Sequence, residues 1–212
     1  MIITIGGEYG SGGKAVAELL AKLLGYRLCD DDIVTEASKD SDVDVVEEAF
    51  RYYDESEGEA SLEELKKLSR TQGKGYMGML SSLSLDVLPI DRRIADALEK
   101  TLNKLADEGN CILMGRCAGY YLAGRDNCVR VFVTDSEENR LQRIMKFFDT
   151  DEKSARKMIQ KTNKRRADYY KFFTGKEWGD KSSYDLTLRC SLLGDEGTAQ
   201  LIQNVVMLKE RG

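Results

Sequence analysis

The amino-acid sequence predicts an α/β fold, a parallel β-sheet with helices on both faces. Two observations carry this expectation. Short apolar runs alternate with longer segments of helical periodicity, the pattern that parallel strands joined by helical crossovers require. The first run, Ile2–Ile5, leads through a loop with five glycines among residues 6–13 into a helix-patterned segment. Glycines let successive backbone N–H groups converge on one anion, and a helix N-terminus adds positive dipole there. Strand, glycine-rich loop and helix together predict phosphate binding, with a nucleotide as the natural source of the phosphate.

The elements follow in order. A strand at Ile2–Ile5 and a loop at 7–13 precede a helix at 14–24, whose apolar positions are Val16, Leu19, Leu20, Leu23 and Leu24. Gly25 stops that helix. Tyr26–Cys29 is a second strand, with Asp30–Asp32 at its carboxyl end. A long polar stretch follows, expected as an inserted helical lobe over about 33–88, with a GKGYMGM patch at Gly73–Met79 and Pro89 closing it. Asp91 caps a helix with Ile94, Ala95, Leu98, Leu102, Leu105 and Ala106 on one face, ended by Gly109. Cys111–Met114 and Val129–Val133 are further strands, the first followed by Gly115-Arg116. A helix at 136–147, a basic helix at about 151–171, a strand at Tyr184–Leu188 and a helix at 195–208 complete one domain over 1–212. Ligands of parallel sheets gather at the carboxyl ends of the strands. Gly7–Lys14, Asp30–Asp32, Gly115-Arg116 and the Thr134 turn all fall at those ends.

Composition narrows the chemistry. Hydrophobic residues make up 42% and charged residues 33%, as in ordinary globular domains. There is no histidine, which excludes Ser-His and Cys-His nucleophilic catalysis and histidine-ligated zinc. Phosphoryl transfer suits the remaining inventory, because it depends on positioning and charge stabilisation. Five cysteines without a CxxC pair predict reduced, buried thiols and a cytoplasmic protein. No apolar run approaches the roughly 20 residues of a membrane span, and the N-terminus lacks the basic region of a signal peptide. The net charge of −5 is polarised: Asp30–Glu64 holds only two bases, whereas 140–176 holds twelve Lys or Arg against four acids. The basic segment is placed to close over polyphosphate as a lid. The aromatic residues near it (Tyr169, Tyr170, Phe172, Phe173, Trp178) suit packing better than base stacking, given the acidic chain, so no nucleic acid is expected.

Two phosphate motifs compete at the loop. The P-loop pattern GxxxxGK[ST] fits Gly7 and Gly12, but Gly13 then occupies the lysine position. Counted back from Lys14, Glu8 replaces the first glycine and Ala15 the hydroxyl. The dinucleotide pattern GxGxxG/A is met by Gly10, Gly12 and Ala15, with the Asp30–Asp32 acids about 20 residues on. A first strand ending near Ile5, the long gap before a third strand and the basic segment favour the P-loop. A dehydrogenase binding NAD is the third function considered, after a kinase and a non-catalytic nucleotide-binding protein.

The segments GGEYGSGGKAVAELLAKLLGYRLCDDDIV, ILMGRCAGYYL, RVFVTDSEENRLQRI and KRRADYYKFFTGKEWGDKSSYDLTL span nearly the whole chain. Together they resemble the cytidylate kinase-like proteins, relatives of the nucleoside monophosphate kinases. The resemblance implies a P-loop kinase-type three-layer fold, with five parallel strands in the order 2-3-1-4-5, a helical substrate lobe and a lid over about 140–176. It implies ATP-dependent transfer to a small phosphorylated acceptor, a nucleoside monophosphate such as CMP, with Mg²⁺ arriving on ATP. It assigns Gly7, Gly10, Ser11, Gly12, Gly13, Lys14, Arg140 and Arg143 to the nucleotide's phosphates, with Ser11 the one side chain offered as a metal ligand. Asp30 and Arg116 face the acceptor; Lys14, Arg116, Arg165 and Arg166 are the candidate catalytic cations. A regular first helical turn aims Lys14 about 100° from the usual lysine direction. Arg116 and the lid arginines are therefore expected to do most of the charge work.

Overall fold

The computed structural model describes residues 1–39 and 92–211. They belong to two compact units: Met1–Asp30 with Leu102–Gly212, and Asp31–Thr101. Most of the expected 33–88 lobe lies outside the described residues, as do the Gly73–Met79 patch, Pro89 and Asp91. Of the second unit, α2 (Asp31–Lys39) and the first part of α3 (Arg92–Glu108) are described. Each has a buried apolar face, Ile33 and Ala37 in α2 and Ile94, Ala95 and Leu98 in α3.

The first unit is a five-stranded parallel sheet in the order β2-β3-β1-β4-β5. Its strands are β1 (Ile2–Gly7), β2 (Arg27–Cys29), β3 (Cys111–Met114), β4 (Cys128–Thr134) and β5 (Leu186–Arg189). β1 is central, with Ile2, Ile3, Thr4 and Ile5 all buried, as a strand covered on both faces demands. It pairs with β3 from Ile2 opposite Cys111 and with β4 from Ile2 opposite Cys128. This order excludes the dinucleotide reading, in which β1 and β2 are neighbours; here β3 lies between them.

On one face, α1 (Gly13–Leu24) and α7 (Gly194–Arg211) bury Val16, Leu20, Ile202 and Val206 against Ile3, Ile5, Ile112 and Val131. On β4, Phe132 packs against Trp178 and Tyr184, with ring centroids 5.4 and 4.9 Å apart. Tyr169 and Tyr170 are buried too, so these aromatics serve packing, although Phe172 is exposed. α5 (Glu137–Phe148) and α6 (Glu152–Thr174) join through Leu141, Ile144, Ala155 and Ile159, which enclose Tyr9 of the glycine loop. Ser136 and Asp151 cap these two helices, accepting from the N–H groups of Asn139 (3.2 Å) and Ser154 (2.9 Å). A four-residue helix, α4 (Ala118–Tyr121), follows β3.

β2 is one residue shorter than expected and β4 one residue longer at each end, and two strands differ by more. β1 runs on through Gly6 and Gly7, because both remain in register with Phe132 and Val133. The P-loop case therefore rests on strand order and not on an early strand end. β5 starts at Leu186 rather than Tyr184. Asp185 is used first: its carboxylate takes the Arg130 guanidinium at 2.7 and 3.2 Å and the Arg130 N–H at 2.8 Å. All five cysteines are free, and only Cys117 is not fully buried.

The join of β1 to β4 leaves no room at Gly7, where a Cβ would lie 2.5 Å from the Val133 carbonyl oxygen. Gly7→Ala is expected to destabilise the protein by about 1–3 kcal/mol, the usual cost of overpacking against a fixed backbone. Urea unfolding checks this; an unchanged midpoint contradicts it.

Candidate functional site

β1 delivers the glycine loop to the carboxyl edge of the sheet. The Glu8 N–H donates to the Val133 carbonyl and the Ser11 N–H to the Glu8 carbonyl, each at 3.1 Å, which closes the turn. Gly12 sits at the N-cap of α1 with φ 92°, a left-handed conformation that suits glycine. The first intrahelical bond runs from the Val16 N–H to the Gly12 carbonyl at 3.0 Å. The amides of Gly13, Lys14 and Ala15 therefore stand at the open end of the helix, where its dipole is positive. The Ser11 hydroxyl is buried and makes no hydrogen bond.

Beside the loop, Asp30 follows β2 and takes two cations. Lys14 Nζ lies 3.0 Å from Asp30 Oδ2, and Arg116 Nη1 lies 2.8 Å from Asp30 Oδ1 and 3.2 Å from the Met114 carbonyl. The Arg116 side chain is only 3% exposed. Gly115, Arg116 and Cys117 have φ of 63°, 48° and 57°, a left-handed turn that brings this side chain back along β3. Burial pushes the Asp30 pKa up, but the charges and hydrogen bonds of Arg116 and Lys14 outweigh it and hold the carboxyl below its usual range.

The helix α6 meets the loop directly. Arg166 Nη1 donates to the Gly7 carbonyl at 2.9 Å, and its guanidinium carbon lies 5.4 Å from the Tyr9 ring centroid. Asn163 Oδ1 accepts the Tyr9 N–H at 2.8 Å. From α5, Arg143 forms a two-pronged pair with Asp195 at 2.6 and 3.1 Å. That pair presses on Gly12, where a Cβ would lie 3.1 Å from both the guanidinium carbon and an Asp195 oxygen. Arg140 Nη1 lies 3.5 Å from Glu8 Oε1. Glu8 Oε2 accepts from the Thr134 hydroxyl and, at 3.4 Å, from the Asp135 N–H.

Thus Gly7, Gly10, Ser11, Gly12, Gly13, Arg140, Arg143 and Arg166 form or border one loop, while Lys14, Asp30 and Arg116 form a cluster at its flank. Arg165 is half-buried next to Arg166 on α6. Sequence reasoning missed Glu8, Asn163 and Asp195. Glu8 had a signal, a carboxylate inside a phosphate loop, but it entered only as a mismatch to a glycine. Burial pushes Cys117 up to about 12, and burial with the Asp195 hydrogen bond pushes Cys190 to about 11. Among the described residues no group of three or more metal-ligating side chains is found, and no helix is long and apolar enough to cross a membrane.

The model of the cytidylate kinase-like family matches residues 2–192. No curated protein matches the chain in sequence. Among solved structures, an uncharacterized protein from Eubacterium ventriosum is 23% identical, with 100% of this chain and 99% of that chain covered and a TM-score of 0.66. Shikimate kinase from Bacteroides thetaiotaomicron is 12% identical, with 98% of each chain covered and a TM-score of 0.50. At these identities the likeness is one of fold.

The Asp30 cluster has a defined pH response. A carboxylate whose folded-state pKa is depressed contributes stability above its unfolded value, near 4, and loses it as pH falls through the folded value. Asp30→Asn is expected to cost about 3 kcal/mol at pH 7, because it strands a buried arginine. The gap to wild type narrows below pH 4. Denaturant titrations at pH 7 and pH 3 test this, and a gap that persists at pH 3 contradicts it.

Proposed function

The chain belongs to the cytidylate kinase-like family, and from that premise we propose that it transfers a phosphoryl group from ATP to a nucleoside monophosphate, CMP being the first candidate. The observation that carries the proposal is the loop itself. A glycine turn opens α1 at the sheet edge, and Arg140, Arg143 and Arg166 reach it from two other helices. Backbone amides bind the donor phosphates, and arginines meet the charge that develops on the transferring group. Mg²⁺ arrives with ATP and neutralises phosphate charge; the buried, unbonded Ser11 hydroxyl is the side chain that fits it on the loop.

The acceptor class follows from proton bookkeeping. A hydroxyl acceptor needs a base, and Asp30, held ionised by two cations, is a poor one. A monophosphate is largely deprotonated at pH 7, since its second pKa is about 6, so it attacks without a base. Arg116 beside Asp30 supplies the positive charge for that acceptor. Lys14 is committed to Asp30 at 3.0 Å, which also favours a second reading, a nucleotide-binding protein without turnover.

Coupled assays with ATP and Mg²⁺ against CMP, dCMP, UMP and AMP separate the two. Transfer to at least one monophosphate is expected; nucleotide binding without transfer to any of them supports the second reading. Arg116→Ala and Arg166→Ala are each expected to cost at least about tenfold in kcat, or 1.4 kcal/mol. Lys14→Ala should cost less. An inactive Lys14→Ala beside a near-normal Arg166→Ala contradicts this division of labour.

A further inference from the structure

The arginines at the loop are not held equally. Arg143 has both prongs on Asp195, Arg116 bonds Asp30 and the Met114 carbonyl, and Arg166 donates to the Gly7 carbonyl. Arg140 differs. Its side chain is 13% exposed, and its one ion pair, to Glu8 Oε1, is long at 3.5 Å. Its Nε and Nη1 are buried and make no hydrogen bond. A guanidinium carries five donors, and burying them unmade is costly. Glu8, by contrast, is fixed from behind. Its other oxygen takes the Thr134 hydroxyl and the Asp135 N–H, both at the end of β4. The carboxylate is therefore the anchored member of the pair, and the arginine is the member with bonding capacity to spare.

We infer that Glu8 is a positioning residue: clamped by Thr134 and Asp135, it holds the Arg140 guanidinium beside the glycine loop, where its charge meets a polyphosphate. The inference rests on the phosphate-binding role proposed above and adds a function for the carboxylate inside the loop. Charge alone argues the other way, since an isolated carboxylate there repels phosphate and its removal should tighten binding. The two accounts therefore predict opposite signs for one substitution.

The experiment is calorimetric titration of inorganic tripolyphosphate into the full chain as wild type, Glu8→Gln, Arg140→Ala and the double variant. If Glu8 works through Arg140, Glu8→Gln weakens binding about tenfold, or 1.4 kcal/mol. In the Arg140→Ala background the same change then has an effect below about twofold. Thr134→Val, which loosens Glu8 without touching its charge, should weaken binding in the same direction, and it carries the test if Glu8→Gln does not fold. Tighter binding by Glu8→Gln, equal losses with and without Arg140, or no binding by wild type each overturn the inference. Coupled losses without phosphoryl transfer from ATP sink only the kinase reading. Transfer without coupling sinks only this one.

Discussion

The closeness of β1 to β4 at the carboxyl edge of the sheet governs the site. Gly7 has no side chain, so its backbone comes against the Val133 carbonyl, and the Glu8 N–H bonds that same oxygen. From that fixed point the turn is short. It carries Glu8 to Thr134, Tyr9 into the pocket of Leu141, Ile144 and Ile159, and Gly12 to the open end of α1. The helices that bring the arginines, α5 and α6, pack on Tyr9 and on each other. A shift of β1 relative to β4 moves the loop and every cation aimed at it together.

The glycine turn presents backbone N–H groups at the head of α1, and the arginines beside it come from α5, α6 and the turn after β3. Gly13 leaves the lysine position empty, and the neighbouring Lys14 is drawn 3.0 Å from Asp30 instead. Three acids beside the loop are each matched to a cation: Asp30 to Lys14 and Arg116, Asp195 to Arg143, Glu8 to Arg140. Such pairing keeps a dense group of arginines together when no anion sits among them. On the proposed phosphate-binding role, an arriving phosphate competes with carboxylates and not with water alone, which favours multiply charged ligands over single anions.

Most of the fold is legible in the sequence because buried parallel strands leave continuous apolar runs, and IITI, CILM and VRVFV are such runs. The strand order is not written in them; it came from family resemblance, and β3 between β1 and β2 agrees with it. Glycine has low strand propensity, so Gly6 and Gly7 read as loop, although at Gly7 only glycine allows the close approach to β4. Tyr184 and Asp185 were counted into β5 because alternation cannot show that a carboxylate is occupied by Arg130. At the site, residue types were legible and their partners were not. That Lys14 turns toward Asp30, 16 residues on, depends on the helix phase and on where β2 ends. Asn163 offers no signal at all, being one polar residue on a polar helix. The lobe expected over 33–88 matches no motif of the family resemblance, and its sequence is the least informative about function.

The thiols carry a consequence for how the molecule meets its chemical surroundings. With no histidine in the chain, the side chains able to change charge between mildly acidic and mildly alkaline solution would be cysteines. Cys117, Cys128 and Cys190 are pushed to about 12, 11 and 11, and Asp30 is held on the acid side. These three thiols and the Asp30 carboxyl therefore keep one charge state across neutrality. For the monophosphate proposed as acceptor, whose second pKa is about 6, the charge that changes in that interval is then the ligand's own.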